Sequence, residues 1–514
     1  MPPRPEHDGV FFPLPSLPTL PDDSMRELFV GVGRDAETKY YETRDQLLKL
    51  LTTNDAVQIL ASLAHFFVLT KTPGRIKRDD HKEEIEQHHL ELAQAFALTR
   101  PLAKDPPKGQ LAHRVQETIE LLLTHSEAAL LRRLAVMPTS PGERKRAFVL
   151  EQIRGHTQVV RGALYVDQIY RYLQLTLERL DGGFAALYGL TASTVLQVLR
   201  ALIQLIEERL NELAVRQARF FRKRETGEVA REFVEAFPEF GVDKDEVLTR
   251  FTRASISPDH LRHMLVDITC VLLPECFTIG HADIENICPP NSTSSAIAGV
   301  IKQWSLSFND LATHNLEHIY LDNPVWQRPF IRLDDGRFFW PTPNISLTFA
   351  FEMFELLIKP HKHLSDLYHD TRAEMLENEL GILLTHNFPR GKVMQRLKWT
   401  MPAEPVVYEN DAVVVIDRTV LIFEAKSRRV KASALRGSPA SLPEEIHRIM
   451  VEPAAQSKRL MDVLSIERRI HCFDSKNGPV EIDSRTIDNF TRINISFEPI
   501  GDLTSRWPDL VDRL

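Results

Sequence analysis

The sequence predicts a multidomain protein in which a mainly α-helical N-terminal region precedes a C-terminal α/β domain with a central mixed sheet. Two observations lead to this class. Up to about residue 320, apolar residues recur at intervals of three and four, as they do on the buried face of a helix. From about residue 370, a helical pattern, three β-branched runs and a second helical pattern follow one another. That order is typical of an α/β domain.

We predict three parts: a helical domain over residues 1–225, a second helical subdomain over 226–365, and the α/β domain over 366–514. A charged stretch from Arg216 to Glu228 suggests the first boundary, and the polar link from Pro360 to Asp366 suggests the second. Alternation around Asp334-Asp335-Gly336 predicts a β-hairpin near residues 330–340. We expect the helical N-terminal region to make a homo-oligomer or to bind a partner protein.

The predicted elements follow the chain in order. In the helical region, apolar spacing predicts helices over 115–134 and 163–180, and a further one in which Ser193 and Thr194 are candidate caps. A helix over 345–359 follows the hairpin. The α/β domain is predicted to contain a helix over 372–385, strands over 392–399, 405–416 and 419–425, a helix over 443–464, and short strands near 470 and 493–497.

Composition limits the function classes. The formal net charge of the 514 residues is −8, so the chain lacks the basic character of a dedicated nucleic-acid binder. Any nucleic-acid contact must therefore come from a local basic patch or from a metal at an active site. Four irregularly spaced cysteines favour a reducing cytoplasm. The N-terminus lacks a secretory pattern, and no apolar run approaches the roughly 18–20 residues that span a bilayer. We therefore predict a cytoplasmic protein without membrane contact.

The chemistry concentrates on two apolar runs joined at Asp417-Arg418. If that dipeptide is a two-residue hairpin turn, the register places Asp411 directly opposite Glu424, and Glu409 opposite Lys426. A loop of odd length would misalign both pairs. Period-two alternation also puts Glu424 and Lys426 on one face of the strand.

Two opposed carboxylates at the end of an apolar hairpin need a compensating cation, because like charges at that separation are destabilising. Mg²⁺ or Mn²⁺ fits, since Mg²⁺ binds through one or two carboxylates and keeps water and phosphate oxygens as its other ligands. An ammonium on the same face could orient a water molecule or neutralise charge on a phosphate. Asp411, Glu424 and Lys426 are therefore our candidate catalytic residues.

Asp411 followed by Glu424-Ala425-Lys426 at the end of an apolar strand resembles the signature of the PD-(D/E)XK nuclease superfamily. The resemblance covers roughly residues 370–500. It implies a restriction-endonuclease-like fold in which Asp411 and Glu424 hold the metal and Lys426 acts beside them. The chain departs from the pattern at Asn410, where the motif has proline.

The resemblance also implies two supporting residues. Members of the superfamily begin with a helix that bears a further acid, and here Glu377 is the preferred candidate metal ligand, with Glu379 as the alternative. Many members carry a glutamine on the helix after the motif, which Gln456 matches. A tyrosine four residues after that glutamine occurs in some members, and this chain has Leu460 there.

The resemblance implies a Mg²⁺- or Mn²⁺-dependent endonuclease that hydrolyses phosphodiester bonds of DNA. Nucleases with large helical attachments are similar to those of prokaryotic anti-phage defence systems. Candidate phosphate contacts are basic residues near the motif and beside Gln456, namely Arg428, Arg429, Lys431 and Lys458. Two alternatives stay open: a nuclease fold that has lost activity and only binds nucleic acid, and a helical adaptor whose C-terminal domain packs against a protein partner.

Overall fold

A computed structural model describes residues 23–71, 85–107, 109–161, 164–243, 256–401, 404–438 and 440–497. The two ends of the predicted domain scheme, 1–22 and 498–514, lie outside the described residues. The first helices are α1 Asp23–Thr53, α2 Ala56–Lys71, α3 Gln87–Ala97, α4 Leu111–Leu131, α5 Pro141–Val159, α6 Val166–Leu177, α7 Asp181–Tyr188, α8 Ala192–Phe221 and α9 Thr226–Ala236.

The next helices are α10 Pro258–Thr269, α11 Leu273–Cys276, α12 His281–Ile287, α13 Ser294–Gln303, α14 Ile345–Thr348 and α15 Ala350–Ile358. The last ones are α16 Lys362–Asn387, α17 Ala432–Leu435, α18 Ser441–Ile446 and α19 Glu452–Ile466, with a π-helical turn at His447–Val451 between α18 and α19. The strands are β1 Thr278–Ile279, β2 Ser305–Ser307, β3 Phe330–Arg332, β4 Phe338–Phe339, β5 Lys392–Met401, β6 Glu404–Ile416, β7 Thr419–Lys426, β8 Ile470–Ser475, β9 Gly478–Asp483 and β10 Asn489–Ser496.

The helical region is built around one hydrophobic core that extends from Tyr40 to Tyr368. Helix α8 shows why these sequences are helical, because most of its apolar residues at three and four spacing are buried in that core, and Ile203 and Leu210 are partly buried against it. Its N-cap is Thr191, whose side chain accepts a hydrogen bond from the Thr194 N–H at 3.0 Å. The predicted caps Ser193 and Thr194 are therefore wrong, and both residues lie inside the helix.

The predicted hairpin near residues 330–340 is present as the antiparallel pair β3 and β4, with Gly336 at φ 86° in the turn. Strands β1 and β2 extend it to a four-stranded mixed sheet in the order β1-β4-β3-β2. Neither was predicted, because strands of two and three residues are too short to show alternation. The predicted helix over 345–359 divides into α14 and α15 at Phe349.

Helix α1 packs closely on the 3₁₀ turn Arg132–Val136 at Gly33. A Cβ at Gly33 would lie 2.1 Å from the backbone nitrogen of Ala135, and backbone cannot move aside as a side chain can. We therefore expect Gly33→Ala to lower the free energy of unfolding by about 1–3 kcal/mol, the usual cost of overpacking. Gly31→Ala is the matched control, because nothing lies within 4 Å of its Cβ.

The control should stabilise the helix by up to about 1 kcal/mol, through helix propensity alone. Thermal unfolding of both variants, followed by circular dichroism at 222 nm (a standard helix signal), measures the difference. Equal shifts for Gly31→Ala and Gly33→Ala would contradict the close approach of α1 to Ala135.

The C-terminal sheet is mixed, as predicted, and has the order β10-β7-β6-β5-β8-β9. Strand β10 runs parallel to β7, and the other neighbours are antiparallel. Helix α16 covers one face through Leu380 and Leu384, and α19 covers the other through Leu460 and Leu464. Strand β7 therefore lies between β6 and β10 and between the two helices, which buries Val420, Ile422, Phe423 and Glu424. Strand β9 was not predicted.

The helical region also packs against the C-terminal domain. Val149 and Ile153 of α5 form a hydrophobic cluster with Val430, Ala434 and residues of α18. This cluster holds the chain just after β7 against a helix that lies almost three hundred residues earlier in the sequence. The predicted boundaries near 225 and 365 stay predictions.

In the described part of the chain, no single helix has the length and apolar character needed to cross a membrane. One pair of helical segments, Val166–Tyr188 and Ala192–Phe221, meets the length and composition test together, but the pair is bent by 89°. All four cysteines are free thiols.

Candidate functional site

The β6–β7 hairpin has the two-residue turn that the sequence predicts. Ile416 pairs with Thr419 across Asp417-Arg418, and the ladder continues in register to Ala412 and Phe423. Asp417 has φ 51°, a left-handed conformation that aspartate tolerates better than most residues. The β6–β7 ladder ends at that pair, so the carboxylates of Asp411 and Glu424 lie just beyond it.

In strands β5 and β6, the side-chain alternation shifts by one residue near the site, so that each strand changes which of its positions face α19. In β5, Met394 and Leu397 enter the same hydrophobic cluster beneath α19, although they are an odd number of residues apart. In β6, Tyr408 and Val413 do the same. Alternation would put residues at odd separations on opposite faces. The reversal coincides with Arg396, which has φ 52° and lies between the paired residues of the two strands.

The reversal brings Asn410 and Asp411 to the same region of the site. Asp411 Oδ2 accepts a hydrogen bond from the Ala425 backbone N–H at 2.6 Å. Asn410 Nδ2 donates to Glu424 Oε1 at 2.5 Å, and Asn410 Oδ1 accepts from Trp399 Nε1 at 2.9 Å. Because an indole N–H can only donate, Trp399 fixes the amide so that its NH₂ group faces Glu424.

Lys426 is held by the helix on its own face of the sheet. Its Nζ donates to Gln456 Oε1 at 3.0 Å and lies 3.8 Å from Glu424 Oε2. Gln456 reaches it because it lies one turn before Leu460, which packs on the sheet from the same face of α19. The predicted pairings of Asp411 with Glu424 and of Glu409 with Lys426 both lie outside the β6–β7 ladder, which ends at Ala412 and Phe423.

Glu409 instead contacts strand β5. Its carboxylate lies 3.3 Å from Arg396 Nε and 3.5 Å from Lys398 Nζ. Glu409 is paired with Lys398 in the β5–β6 ladder, which explains the second contact. The register of the β6–β7 hairpin could not show that a third strand, β5, supplies the cationic partners of Glu409.

Of the two candidate acids on α16, the structure brings Glu377 to the site. Its carboxylate lies 3.3 Å from Arg396 Nε, and the charge of Asp411 acts on it. Glu377 precedes Leu380 and Leu384 on the face of α16 that packs on the sheet. Glu379 lies elsewhere on the helix, where it accepts a hydrogen bond from Arg171 of α6 at 2.7 Å.

Burial raises the pKa of the carboxyl groups of Glu424, Asp411 and Glu377. Burial, with the charge of Asp411 next, raises the pKa of Glu424 to about 8, against an ordinary 4.5, although Asn410 and Lys426 oppose the rise. The pKa values of Asp411 and Glu377 are raised as well, in both cases chiefly by burial. Three acids whose ionised forms are destabilised together form a site that favours an added positive charge.

The raised pKa of Glu424 predicts how stability depends on pH. The folded state keeps the proton that the unfolded chain loses above its ordinary pKa of 4.5, so stability falls as pH rises towards about 8. We expect Glu424→Gln, which cannot ionise, to avoid this loss. Without divalent metal, its gain in unfolding free energy should grow to roughly 2–4 kcal/mol at pH 9.

Urea unfolding of wild type and Glu424→Gln at pH 5, 7 and 9 in EDTA measures this difference. Glu409→Gln is the control. The Glu409 side chain is 34% exposed, and its carboxylate lies beside the cations of Arg396 and Lys398. A Glu424→Gln effect that stays constant across this pH range would contradict a raised pKa at Glu424.

Three of the four predicted phosphate contacts make ion pairs with carboxylates of the chain itself. Arg429 contacts Glu352 and lies 3.5 Å from Glu355 of α15. Lys431 Nζ lies 3.2 Å from Glu444 and 3.4 Å from Glu445, and Lys458 Nζ lies 2.5 Å from Asp462. Arg428 is exposed. The acids that engage Arg429 are far away in sequence, so the basic run alone could not reveal this pairing.

The residues of the site suit a hard divalent cation. Asp411, Glu424 and Glu377 supply the carboxylate oxygens that Mg²⁺ prefers, and their burial disfavours the uncompensated anions. Among the described residues, no group of three or more histidine, cysteine, aspartate or glutamate residues is arranged to hold a metal ion. One or two carboxylates satisfy Mg²⁺ when water and phosphate oxygens complete its shell.

Sequence reasoning missed Arg396 and Trp399, and treated Asn410 only as a departure from the motif. The positive φ of Arg396 has no sequence signal, since arginine rarely adopts it. The alternation of β6 does break at Asn410, where a polar residue is followed by Asp411 before the apolar run, and that break was the available signal. Comparison of the chain with models of protein families, with curated proteins and with solved structures finds no match.

Proposed function

We propose that the chain is a metal-dependent nuclease that hydrolyses phosphodiester bonds of DNA. The observation that carries this proposal is the pair of buried Glu424 and partly buried Asp411, both with raised pKa, beside a lysine that is oriented by Gln456. Buried acids next to a positioned base or cation are typical of catalytic sites. The motif resemblance supplies the reaction class.

In this proposal Asp411 and Glu424 hold Mg²⁺ or Mn²⁺, and Glu377 assists from α16. The ion would neutralise the carboxylates and stabilise charge that develops on the phosphate. Asn410 keeps one oxygen of Glu424 occupied, which leaves the other directed towards Lys426. Lys426 orients the attacking water for in-line displacement, and Gln456 limits the positions that its ammonium can take.

The experiment is a cleavage assay of purified full-length protein on plasmid and linear DNA, with Mg²⁺, with Mn²⁺ and with EDTA. Wild type should cut in the presence of metal, and Asp411→Asn should be at background. Asp417→Asn is the matched control, since that residue lies at the turn, at the opposite end of the hairpin. Wild-type cleavage no faster than that of Asp411→Asn would refute catalysis at this site.

The helical region would then oligomerise, regulate or sense. The contact of α5 with the chain after β7 supports a regulatory role, because it attaches the helical region to the segment that follows Lys426. We propose a setting in prokaryotic anti-phage defence on the likeness in domain organisation.

A further inference from the structure

Arg396 adopts a conformation that arginine rarely takes. It has φ 52°, and it lies in β5 between Gln395 and Leu397, whose partners in β6 flank Asp411. Only a surrounding structure that over-determines the backbone maintains such a residue, and such residues cluster at functional sites. Position 396 is the point at which β5 and β6 change faces.

The side chain of Arg396 lies between two acids of the site. Its Nε is 3.3 Å from Glu377 Oε2 and 3.3 Å from Glu409 Oε1. The Arg396 side chain is 49% exposed, whereas those of Glu377 and Glu409 are 21% and 34% exposed. The guanidinium is therefore the outermost of the three groups, and it is accessible to a ligand that approaches from solvent.

The Arg396 guanidinium has more N–H donors than its hydrogen bond to Glu409 uses. It carries five N–H groups, and among the described residues its Nε donates a hydrogen bond to Glu409 Oε1 at 3.3 Å. The outer fork on the two terminal nitrogens matches the geometry of a phosphate, which arginine binds through two parallel hydrogen bonds. Lys426, by contrast, is 27% exposed and already engaged with Gln456 on the α19 side.

Two cations on different strands therefore lie beside the carboxylates, and each contacts a side chain of a different helix. Lys426 is positioned from α19, and Arg396 contacts Glu377 of α16. Glu377 is also one of the acids that would hold the metal. A divalent cation that takes Glu377 as a ligand would weaken its attraction for Arg396, and the released guanidinium would face the solvent side of the site.

We propose that Arg396 binds a backbone phosphate of the nucleic-acid substrate, and that its contacts with Glu377 and Glu409 are the resting state which metal and substrate replace. This inference rests on the proposed nuclease function. It assigns the phosphate contact to a strand residue whose guanidinium lies 3.3 Å from Glu377, one of the acids proposed to hold the metal.

The test measures DNA affinity in the Lys426→Met background with Mg²⁺, where cleavage should be at least about 100-fold slower and the metal-holding acids are intact. Fluorescence anisotropy with labelled duplex DNA gives the dissociation constant from 50 to 200 mM salt. Arg396→Gln should weaken binding about tenfold and reduce the slope of log affinity against log salt by about 0.9, the value for one phosphate contact.

Two further variants keep the result interpretable. Arg396→Gly removes the guanidinium but accepts a positive φ without strain, so it should fold and bind like Arg396→Gln. Arg418→Gln is the matched control, because Arg418 is 67% exposed and ion-paired with Asp488 at the turn end of the hairpin. Its affinity and salt slope should equal those of the background.

The outcomes separate the two proposals. An unchanged affinity and slope in Arg396→Gly, with wild type active in the cleavage assay, would overturn the role of Arg396 and leave the nuclease function standing. Equal losses in Arg396→Gly and Arg418→Gln would overturn it as well, because any surface arginine would then serve. A wild type that neither cuts nor binds DNA would refute the nuclease function, and this inference with it.

Discussion

Replacing Lys426 by methionine should lower the rate of Mg²⁺-dependent DNA cleavage by about 10²–10⁴-fold, the range expected when a group that positions or transfers protons is lost. Methionine keeps the length and apolar stem of the side chain, so the contact with α19 should survive. What disappears is the ammonium that lies 3.0 Å from Gln456 Oε1 and 3.8 Å from Glu424 Oε2.

Single-turnover cleavage of a labelled duplex at saturating protein measures this effect on the chemical step. Lys392→Met is the matched control, because Lys392 is an exposed lysine of the same sheet whose Nζ donates to the Glu481 carbonyl oxygen. Its rate should stay within about threefold of wild type. A Lys426→Met rate within that same range would remove Lys426 from the catalytic step.

Gln456 provides a graded second variant in the same assay. Gln456→Leu leaves Lys426 charged but removes the acceptor that orients it, so we expect a smaller loss, about tenfold, for a misplaced group. The two losses should not add in the double variant, because Gln456 acts through Lys426. Additive losses would indicate that the glutamine contacts the substrate by itself.

Glu355→Gln should lower the free energy of unfolding by about 3–5 kcal/mol, the cost of removing one partner from a buried ion pair. Glu355 Oε1 lies 3.3 Å from Arg372 Nη1, and both side chains are almost fully buried, at 5% and 3% exposed. Without the carboxylate, Arg372 would keep its charge in the interior. Lys359 and Arg429 lie at 2.7 Å and 3.5 Å from the same carboxylate.

The pH dependence of this effect has a definite sign. Burial alone would raise the pKa of Glu355, but Arg429, Lys359 and Arg372 together lower it below its ordinary value of 4.5. Stability from the ion pair is therefore present above pH 4.5 and is lost as the pH falls through the lowered pKa. The difference between wild type and Glu355→Gln should shrink in acid.

Chemical denaturation at pH 7 and pH 4, with midpoints compared between variants, measures the loss of stability in Glu355→Gln and its decrease in acid. Glu374→Gln is the control, because its ion pair with Arg179 is about half exposed and such pairs contribute at most about 1 kcal/mol. The double variant Glu355→Gln/Arg372→Met should recover part of the loss, since no unpaired charge is left. A Glu355→Gln variant as stable as Glu374→Gln would contradict the buried pair.

Glu355 also connects stability to the site. It contacts Arg372 on the helix that carries Glu377, and Arg429 in the segment just after Lys426. One buried carboxylate of the helical region thus contacts two of the chain segments that deliver site residues. We expect Glu355→Gln to affect cleavage as well as stability.

Local sequence patterns were sufficient for much of the C-terminal domain. The β-branched runs gave β5, β6 and β7 within two residues at each end, and the Asp417-Arg418 turn fixed the register to Ala412 and Phe423. The two faces of β7 were also correct, with Ile422 beneath α19 and Phe423 beneath α16. These features depend on residues close in sequence, where alternation and turn geometry act directly.

Tertiary structure decided the arrangement at the end of the hairpin. The hairpin register placed Glu409 opposite Lys426, but β5 and β6 change faces together, and β5 supplies the partners of Glu409. Which of Glu377 and Glu379 reaches the site depends on the orientation of α16 about its own axis, between the sheet and α6. The packing of α16 on the sheet and on α6 sets that orientation.

Asp411, Glu424 and Lys426 were therefore determined as a group by the sequence, because they lie on adjoining strands of one hairpin. Their electrostatics were not. The raised pKa of Glu424 and the pairing of Arg429 with Glu355 depend on burial beneath α19 and on acids some seventy residues upstream. Burial and long-range charge are properties of the packed chain, so only the tertiary structure could assign them.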